Sequence, residues 1–127
     1  RRRITRYAYD VETGAISDPQ VVVQEGPQEN GHPDGMAMDA ANCLWSARWD
    51  GYCLVHHMPD GKELQRIRFP APKVSSVTFG GEDYTDMYVT TAGGHIKDQD
   101  GPEAGSLYRI NLGIRGKPPF LSRIGLA

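Results

Sequence analysis

A single carboxylate, Asp34, is placed for chemistry within the stretch His32–Asp39. Pro33 fixes φ and Gly35 permits positive φ, so the Pro-Asp-Gly sequence predicts a tight turn that opens into an alternating apolar strand. A carboxylate held at the mouth of a strand suits ligation of a hard metal ion or general-base catalysis. The simpler interpretation is an aspartate that only closes a β-turn, and we assign that role to Asp60 in the second Pro-Asp-Gly sequence.

Composition excludes several classes of protein. The chain has 127 residues, 39% hydrophobic and 24% charged, with a formal net charge of −2. One domain of ordinary composition is expected, without the positive charge that nucleic-acid binding needs and without an apolar run long enough to cross a membrane. Cys43 and Cys53 lack a repeated metal-binding spacing and are predicted to be reduced thiols in a cytoplasmic protein, with a single disulfide as the alternative.

Turn residues recur throughout the sequence and predict short antiparallel strands. The chain contains 15 glycines and 9 prolines, and helical periodicity is nearly absent. Alternation of apolar and polar residues supports several strands. We expect strands near 2–9, 20–24, 35–39, 43–48, 52–57, 64–69, 74–79, 86–91, 105–110 and 119–124.

Internal similarity groups these strands into blades. Segments 3–7, 53–57 and 106–110 share one pattern, and segments 43–47 and 86–90 share another. The similar segments recur roughly every 40 to 53 residues, which is a repeat length typical of the four-stranded blades of a β-propeller. The whole chain, 1–127, is therefore predicted to be one partial β-propeller domain. Residues 2–24 would supply the outer strands of an incomplete blade, 35–69 a full blade, and 74–124 a full blade with an insertion at 93–104.

About two and a half blades are fewer than a closed ring requires, so open sheet edges are expected. A homodimer, or a missing N-terminal half, would cover those edges. The strands of two copies would not complete six blades, so a five-bladed or open dimer is the expected geometry if one forms.

The ordered motifs of this chain resemble the C-terminal half of the senescence marker protein/gluconolactonase/regucalcin family of six-bladed propellers. The resemblance covers essentially the whole chain. The segments that carry it are Pro33-Asp34-Gly35-Met36, Leu44-Trp45-Ser46-Ala47, Asp50-Gly51, Pro59-Asp60-Gly61-Lys62, Ser75-Ser76-Val77-Thr78-Phe79-Gly80-Gly81, Met87-Tyr88-Val89-Thr90-Thr91-Ala92 and Pro102-Glu103-Ala104-Gly105-Ser106-Leu107-Tyr108.

The resemblance implies a role for Asp34. Members of the family bind one divalent cation, Ca²⁺ or Zn²⁺, through a Glu, two Asn and the Asp of the Pro-Asp-Gly sequence. Asp34 matches that Asp, which is both metal ligand and general base in the family. The other ligands and the substrate-contacting Arg would lie upstream of Arg1. Asn30 and Asn42 do not match the family's two Asn ligands.

Three functions follow from this resemblance. The first is a metal-dependent hydrolase of sugar lactones with Asp34 as catalytic residue and metal ligand. The second is a catalytically incomplete half-propeller that serves as an interaction or assembly unit, and the third is a calcium-binding protein without turnover. One carboxylate cannot hold a hard cation tightly by itself, so weak metal binding and poor turnover are expected of the chain alone. Whether it is an enzyme on its own stays open.

The remaining candidate residues are predicted to be structural. His56 and His57 should face opposite sides of one strand and cannot grip one ion together. Trp45 and Trp49 are expected to pack between blades, and Asp39 is expected to cap the turn that follows it. His32 and His95 are expected in an exposed turn and a solvated loop.

Overall fold

The computed structural model describes residues 2–27, 29, 31–93 and 97–121 and is built almost entirely from strands. One four-residue helix, α1 (Lys97–Asp100), lies in the insertion between the last two strands. The strands are β1 (Arg3–Tyr9), β2 (Ile16–Gln24), β3 (His32–Met38), β4 (Leu44–Trp49), β5 (Cys53–His57), β6 (Glu63–Arg68), β7 (Val74–Gly80), β8 (Asp86–Thr91) and β9 (Leu107–Asn111).

These strands form three antiparallel sheets in which each strand pairs with its neighbour in sequence. The hairpin β1–β2 stands alone, β3–β4–β5–β6 form a four-stranded sheet, and β7–β8–β9 form a three-stranded sheet. Each of the first nine predicted strands overlaps an observed one. The last prediction, near 119–124, is not met by residues 119–121, which lie outside any strand, and 122–124 are outside the described residues. His95 is also outside them.

The core lies between the four-stranded and the three-stranded sheets. Because side chains alternate across a strand, Trp45, Ala47 and Leu54 share the face that meets β7 and β8. The Trp45 ring meets the edge of Phe79, with centroids 6.5 Å apart and planes at 80°. This confirms the expected burial of Trp45, which is fully enclosed.

The Pro-Asp-Gly sequence at Asp34 is not the tight turn that we predicted. It lies inside β3, which keeps pairing with β4 on both sides of it: Pro33 opposes Arg48 and Met36 opposes Ser46. Three steps along β3 therefore match two along β4, which is a β-bulge. Proline is tolerated here because β3 is an edge strand of its sheet.

We had expected Gly35 to adopt a positive φ, but its φ is not positive. A glycine is needed here because β7 approaches the backbone of β3 closely. A Cβ at Gly35 would lie 2.7 Å from the carbonyl oxygen of Ser75 and would also collide with Ser76, both on β7. The bulge is thus pressed directly against the first strand of the neighbouring sheet.

Residues 114–117, which we call the strap, follow the three-stranded sheet and form hydrogen bonds with the end of β3 and the residues just after it. The amide of Lys117 donates to the carbonyl of Met38 (3.0 Å), and the amide of Ala40 donates to the carbonyl of Arg115 (2.8 Å). Gly116 forms an isolated bridge with Asp39. A Cβ at Gly116 would overlap Cγ of Phe79, so a larger residue would not fit there unless Phe79 moved.

The hairpin β1–β2 packs on the opposite face of the four-stranded sheet. Ile4 and Val23 are its buried residues, and Gly61 touches the backbone of β2 so closely that a Cβ would overlap the carbonyl of Val22. A cavity of about 270 Å³ remains in this interface, lined in part by Met36. Among the residues that the structure describes, no helix has the length and apolar character needed to cross a bilayer.

Candidate functional site

Asp34 lies at the end of the sheets where β3 begins, β4 ends and β7 begins. It is exposed and occupies the bulge between Pro33 and Met36. The bulge is held from one side by the contact of Gly35 with β7, where the Ser75 hydroxyl also hydrogen-bonds that of Thr90 (2.9 Å). Exposed and half-buried residues alternate along β3, and Asp34, on the same exposed side as Met36, presents its carboxylate at a sheet edge.

Asp34 fits a divalent cation only in part. Its exposed carboxylate is the oxygen donor that Ca²⁺ prefers and that Zn²⁺ also accepts. It supplies at most two of the six to eight oxygens that Ca²⁺ takes. The sequence prediction of Asp34 as a metal ligand therefore stays a prediction about one donor of a larger set.

Asp60, the other Pro-Asp-Gly aspartate, lies in a different place and makes different contacts. It belongs to the turn between β5 and β6, where its Oδ1 accepts the amide of Lys62 (2.9 Å). The amide of Gly61, at φ 92°, donates to the carbonyl of Met58 (2.9 Å). Asp60 thus closes a turn, as we predicted, and the two aspartates are not brought together.

A buried charged cluster lies next to the bulge, on the hairpin side of β4. The guanidinium of Arg48 pairs through Nε with Oε1 of Glu25 (2.7 Å) and donates through Nη1 to the hydroxyl of Ser46 (2.7 Å). Its Nη2 lies 3.0 Å from Nε2 of His57. Because arginine can only donate, Nε2 of His57 is the acceptor, and Nδ1–H donates to the carbonyl of Gly61 (3.0 Å).

Burial shifts the titration of this cluster. The side chains of Arg48 and Glu25 are 2% and 6% exposed. Removal from water raises the pKa of Glu25 and lowers the pKa of Arg48, while each charge partly offsets the shift of the other. Removal from water also lowers the pKa of His57, in agreement with a neutral ring.

Sequence reasoning missed this cluster. The available signal was an arginine inside the apolar strand Leu44-Trp45-Ser46-Ala47-Arg48, since a charge at a core position must have a buried partner. Nothing in the sequence pointed to Glu25 as that partner.

A second group of possible metal ligands surrounds Asp39, on the core side of β4. Donor atoms of Asp39, Cys43 and His56 lie within 4.8 Å of one another. A thiol, an imidazole and a carboxylate would suit Zn²⁺ and not Ca²⁺. Burial, followed by the charge of Asp39, raises the pKa of the Cys43 thiol, so this ligand is held in its protonated form.

Both carboxylate oxygens of Asp39 already have hydrogen-bond partners. Oδ1 accepts the amides of Ala41 (3.0 Å) and Cys43 (2.9 Å). Oδ2 accepts Nε1–H of Trp45 (3.2 Å) and lies 2.8 Å from Nε2 of His56, whose ring stacks on Trp45 at 4.0 Å. Asp39 therefore caps the turn, as predicted, and in addition anchors two buried rings. We interpret this group as a structural network.

The two adjacent histidines behave as the strand pattern predicted. His56 faces the core and Asp39, whereas His57 faces the hairpin and Arg48. Trp49, at the end of β4, lies under the ammonium of Lys73 at 5.9 Å and is less buried than Trp45. Cys43 and Cys53 are free thiols.

Known proteins resemble this chain in sequence and in structure. The family model described as SMP-30/Gluconolactonase/LRE-like region matches residues 1–93. The pentonolactonase XacC of Haloferax volcanii is 46% identical over 132 residues, which is 98% of this chain and 45% of that protein. Regucalcin of Sus scrofa is 37% identical over 92% of this chain and 40% of its own length. This chain thus spans less than half the length of either relative.

Solved structures of similar proteins superpose on this chain. A luciferin-regenerating enzyme superposes with a TM-score of 0.80 at 32% identity, over 91% of this chain and 40% of that one. A calcium-binding regucalcin of Agrobacterium tumefaciens superposes with a TM-score of 0.85 at 24% identity, over 97% and 43%. The expected fold, an all-β partial β-propeller, is confirmed. The chain belongs to the SMP-30/gluconolactonase/LRE-like family.

Proposed function

We propose that this chain carries one ligand of the metal site of a sugar-lactone hydrolase, and that this ligand is Asp34. The observation that carries the proposal is the exposed carboxylate of Asp34 in the bulge of β3. The name of the pentonolactonase relative, at 46% identity, supports a lactone as the substrate class.

The chemistry divides between the cation and the carboxylate. A bound divalent cation, Ca²⁺ or Zn²⁺, supplies Lewis acidity toward the lactone carbonyl. Asp34 would accept a proton from the water whose oxygen bonds to this carbonyl carbon. The bond between that carbon and the ring oxygen then breaks, and the proton passes from Asp34 to the ring oxygen, which gives the ring-opened hydroxy acid. The bulge fixes the backbone on both sides of Asp34, which limits the positions that its carboxylate can reach.

The other ligands come from outside this chain in our proposal. Exposed apolar side chains on β2 and β3, including Val21, Met36 and Met38, mark surfaces that a missing N-terminal half or a second copy would cover. Alone, the chain binds metal weakly and turns over little. Its free thiols fit a reducing, cytoplasmic setting.

The alternative function is binding without catalysis. Several relatives are named regucalcin, and the superposed regucalcin of Agrobacterium tumefaciens is described as a calcium-binding protein. A half-propeller that binds calcium, or that only assembles with a partner, would keep the fold and lack turnover.

Titration calorimetry with Ca²⁺ and with Zn²⁺ tests the assignment of Asp34. Asp34→Ala should abolish the wild-type heat of binding, whereas Asp60→Ala, which changes the matching residue of the other Pro-Asp-Gly sequence, should leave it unchanged. An isotherm that Asp34→Ala does not alter would remove Asp34 from the metal site.

Hydrolysis of a pentonolactone in a pH-stat separates enzyme from binding protein. Metal-dependent acid release above the spontaneous rate supports the lactonase. Metal binding with no acid release at all above the spontaneous rate favours the calcium-binding alternative, because the lactonase should give a small but measurable rate even in this chain alone. Sedimentation of a pure monomer at micromolar concentration would contradict self-association.

A further inference from the structure

The segment that leads from β2 into β3 is held by three arginines. Arg48 pairs with Glu25 at its start, and Nη2 of Arg66 donates to Oε2 of Glu29 (3.0 Å). Arg2 donates through Nη2 to the carbonyl of Gly31 (2.6 Å). Asp34 follows three residues after this last contact, so these side chains fix where β3 begins.

The same segment is pressed onto the turn between β4 and β5. A Cβ at Gly31 would lie 2.5 Å from the amide nitrogen of Gly51 and from the carbonyl oxygen of Trp49. His32, the next residue, pairs with Trp49. The entry to β3 therefore has no room to shift toward β4, and the arginines resist movement in the other direction.

Arg48 has the central position among the three arginines. It opposes Pro33 on the neighbouring strand, and the hydroxyl it binds belongs to Ser46, which opposes Met36. Arg48 and Ser46 thus bracket the bulge from the partner strand. Because its guanidinium holds Glu25 while its backbone opposes Pro33, Arg48 connects the strand beside the bulge to the segment that leads into it.

We infer that Arg48, acting through Glu25 and Ser46, is a positioning residue that sets the place of the Asp34 carboxylate. The inference deepens the proposed function, because it rests on Asp34 as the metal ligand. Arg48 does not touch the cation or the substrate in this scheme. It holds the backbone from which Asp34 projects.

The contacts of Arg48 indicate that it orients the backbone near Asp34 and does not merely fill space in the core. A buried ion pair costs more desolvation than a well-packed apolar side chain of similar volume, so such a pair contributes little net stability. Oε2 of Glu25 is buried and has no hydrogen-bond partner among the described residues, which adds to that cost. A planar fork that reaches two strands and a loop supplies orientation that an apolar side chain cannot.

The test compares Arg48→Met with two controls. Val89→Ala removes core volume on β8 and reports on lost stability alone, and Arg109→Met removes an arginine that pairs with Asp86 on the far sheet (2.7 Å). Amide hydrogen exchange and ¹⁵N–¹H shifts of Asp34 and Gly35 are measured in each variant, together with titration by Ca²⁺.

We expect Arg48→Met to speed exchange at Asp34 and Gly35 by about tenfold relative to either control. Affinity for Ca²⁺ should fall by about tenfold, as when a residue that orients a metal ligand is lost. Arg48→Lys, which keeps the charge but not the fork, should recover only part of both effects. If Arg48→Met does not fold, Glu25→Gln is measured instead, with a smaller shift at the same two amides.

Unchanged exchange and shifts at Asp34 and Gly35 in a folded variant would overturn the inference, as would equal effects in Val89→Ala. If the wild type shows no Ca²⁺ binding that depends on Asp34, the proposed function fails. The two amides still decide the positioning role in that case, because their readout needs no metal.

Discussion

Asp39 holds two buried rings and one turn, and its replacement should separate these contributions. In Asp39→Ala the buried donors Nε1 of Trp45 and Nε2 of His56 lose their acceptor. The turn amides of Ala41 and Cys43 lose theirs too, but they are only partly buried and water can replace the carboxylate. The two buried donors dominate the cost.

The magnitude follows from these contacts. An unsatisfied buried donor costs about 1–3 kcal/mol, so Asp39→Ala should lower the free energy of unfolding by about 4 kcal/mol. Asp39→Asn keeps an oxygen for the turn and can pair with His56 in its other tautomer, once the amide of Gln65 turns its oxygen toward Nδ1 of that ring. Only Trp45 Nε1–H is then left without an acceptor. The cost of Asp39→Asn should be about 2 kcal/mol.

Urea unfolding followed by tryptophan fluorescence measures both variants. With a urea slope of about 2 kcal/mol per molar, Asp39→Ala should lower the midpoint by about 2 M and Asp39→Asn by about 1 M. Asp60→Ala is the matched control, since Asp60 accepts a single exposed turn amide, and it should cost about 1 kcal/mol at most. If the two Asp39 variants were equal, or no worse than Asp60→Ala, our account of this network would be wrong.

Two further predictions concern the bulge and the buried ion pair. Gly35→Ala should lower the free energy of unfolding by about 1–3 kcal/mol and weaken Ca²⁺ binding, because the new methyl meets the backbone of Ser75. Thermal unfolding and calorimetry measure both effects. Burial raises the pKa of Glu25, so the folded protein holds that proton more tightly than the unfolded chain does. Relative to Glu25→Gln, wild-type stability should therefore be greatest below the ordinary pKa of a glutamate and fall as the pH rises through the raised value.

Each of these predictions has a contrary outcome. Full stability and unchanged affinity in Gly35→Ala would mean that β7 does not confine the bulge. A difference between the wild type and Glu25→Gln that is flat with pH, measured by urea unfolding across the acidic range, would mean that burial does not shift the pKa of Glu25.

The sequence predicted the strands well because their signals are local. Turn residues and alternation located nine strands to within a few residues, and the face of Trp45 followed from that alternation. The role of Gly35 did not follow, because it depends on β7, about forty residues away in sequence. The partner of Arg48 did not follow either, since Glu25 reaches it only when the hairpin packs on the four-stranded sheet. The prediction of a tight turn at Asp34 was wrong because it used only local sequence. Pairing of β3 with β4 outweighs the local preference of Pro-Asp-Gly for a turn.

The strap at residues 114–117 has a consequence for how the chain is made. It hydrogen-bonds Met38 and Ala40, which lie more than seventy residues earlier in the sequence. Closing so long a loop costs entropy before any contact is gained, so folding should be slow for a chain of this size. During synthesis, β3 leaves the ribosome long before the strap does. The carboxylate at Asp34 is therefore carried on a strand whose far end stays unsecured until the strap has been synthesised.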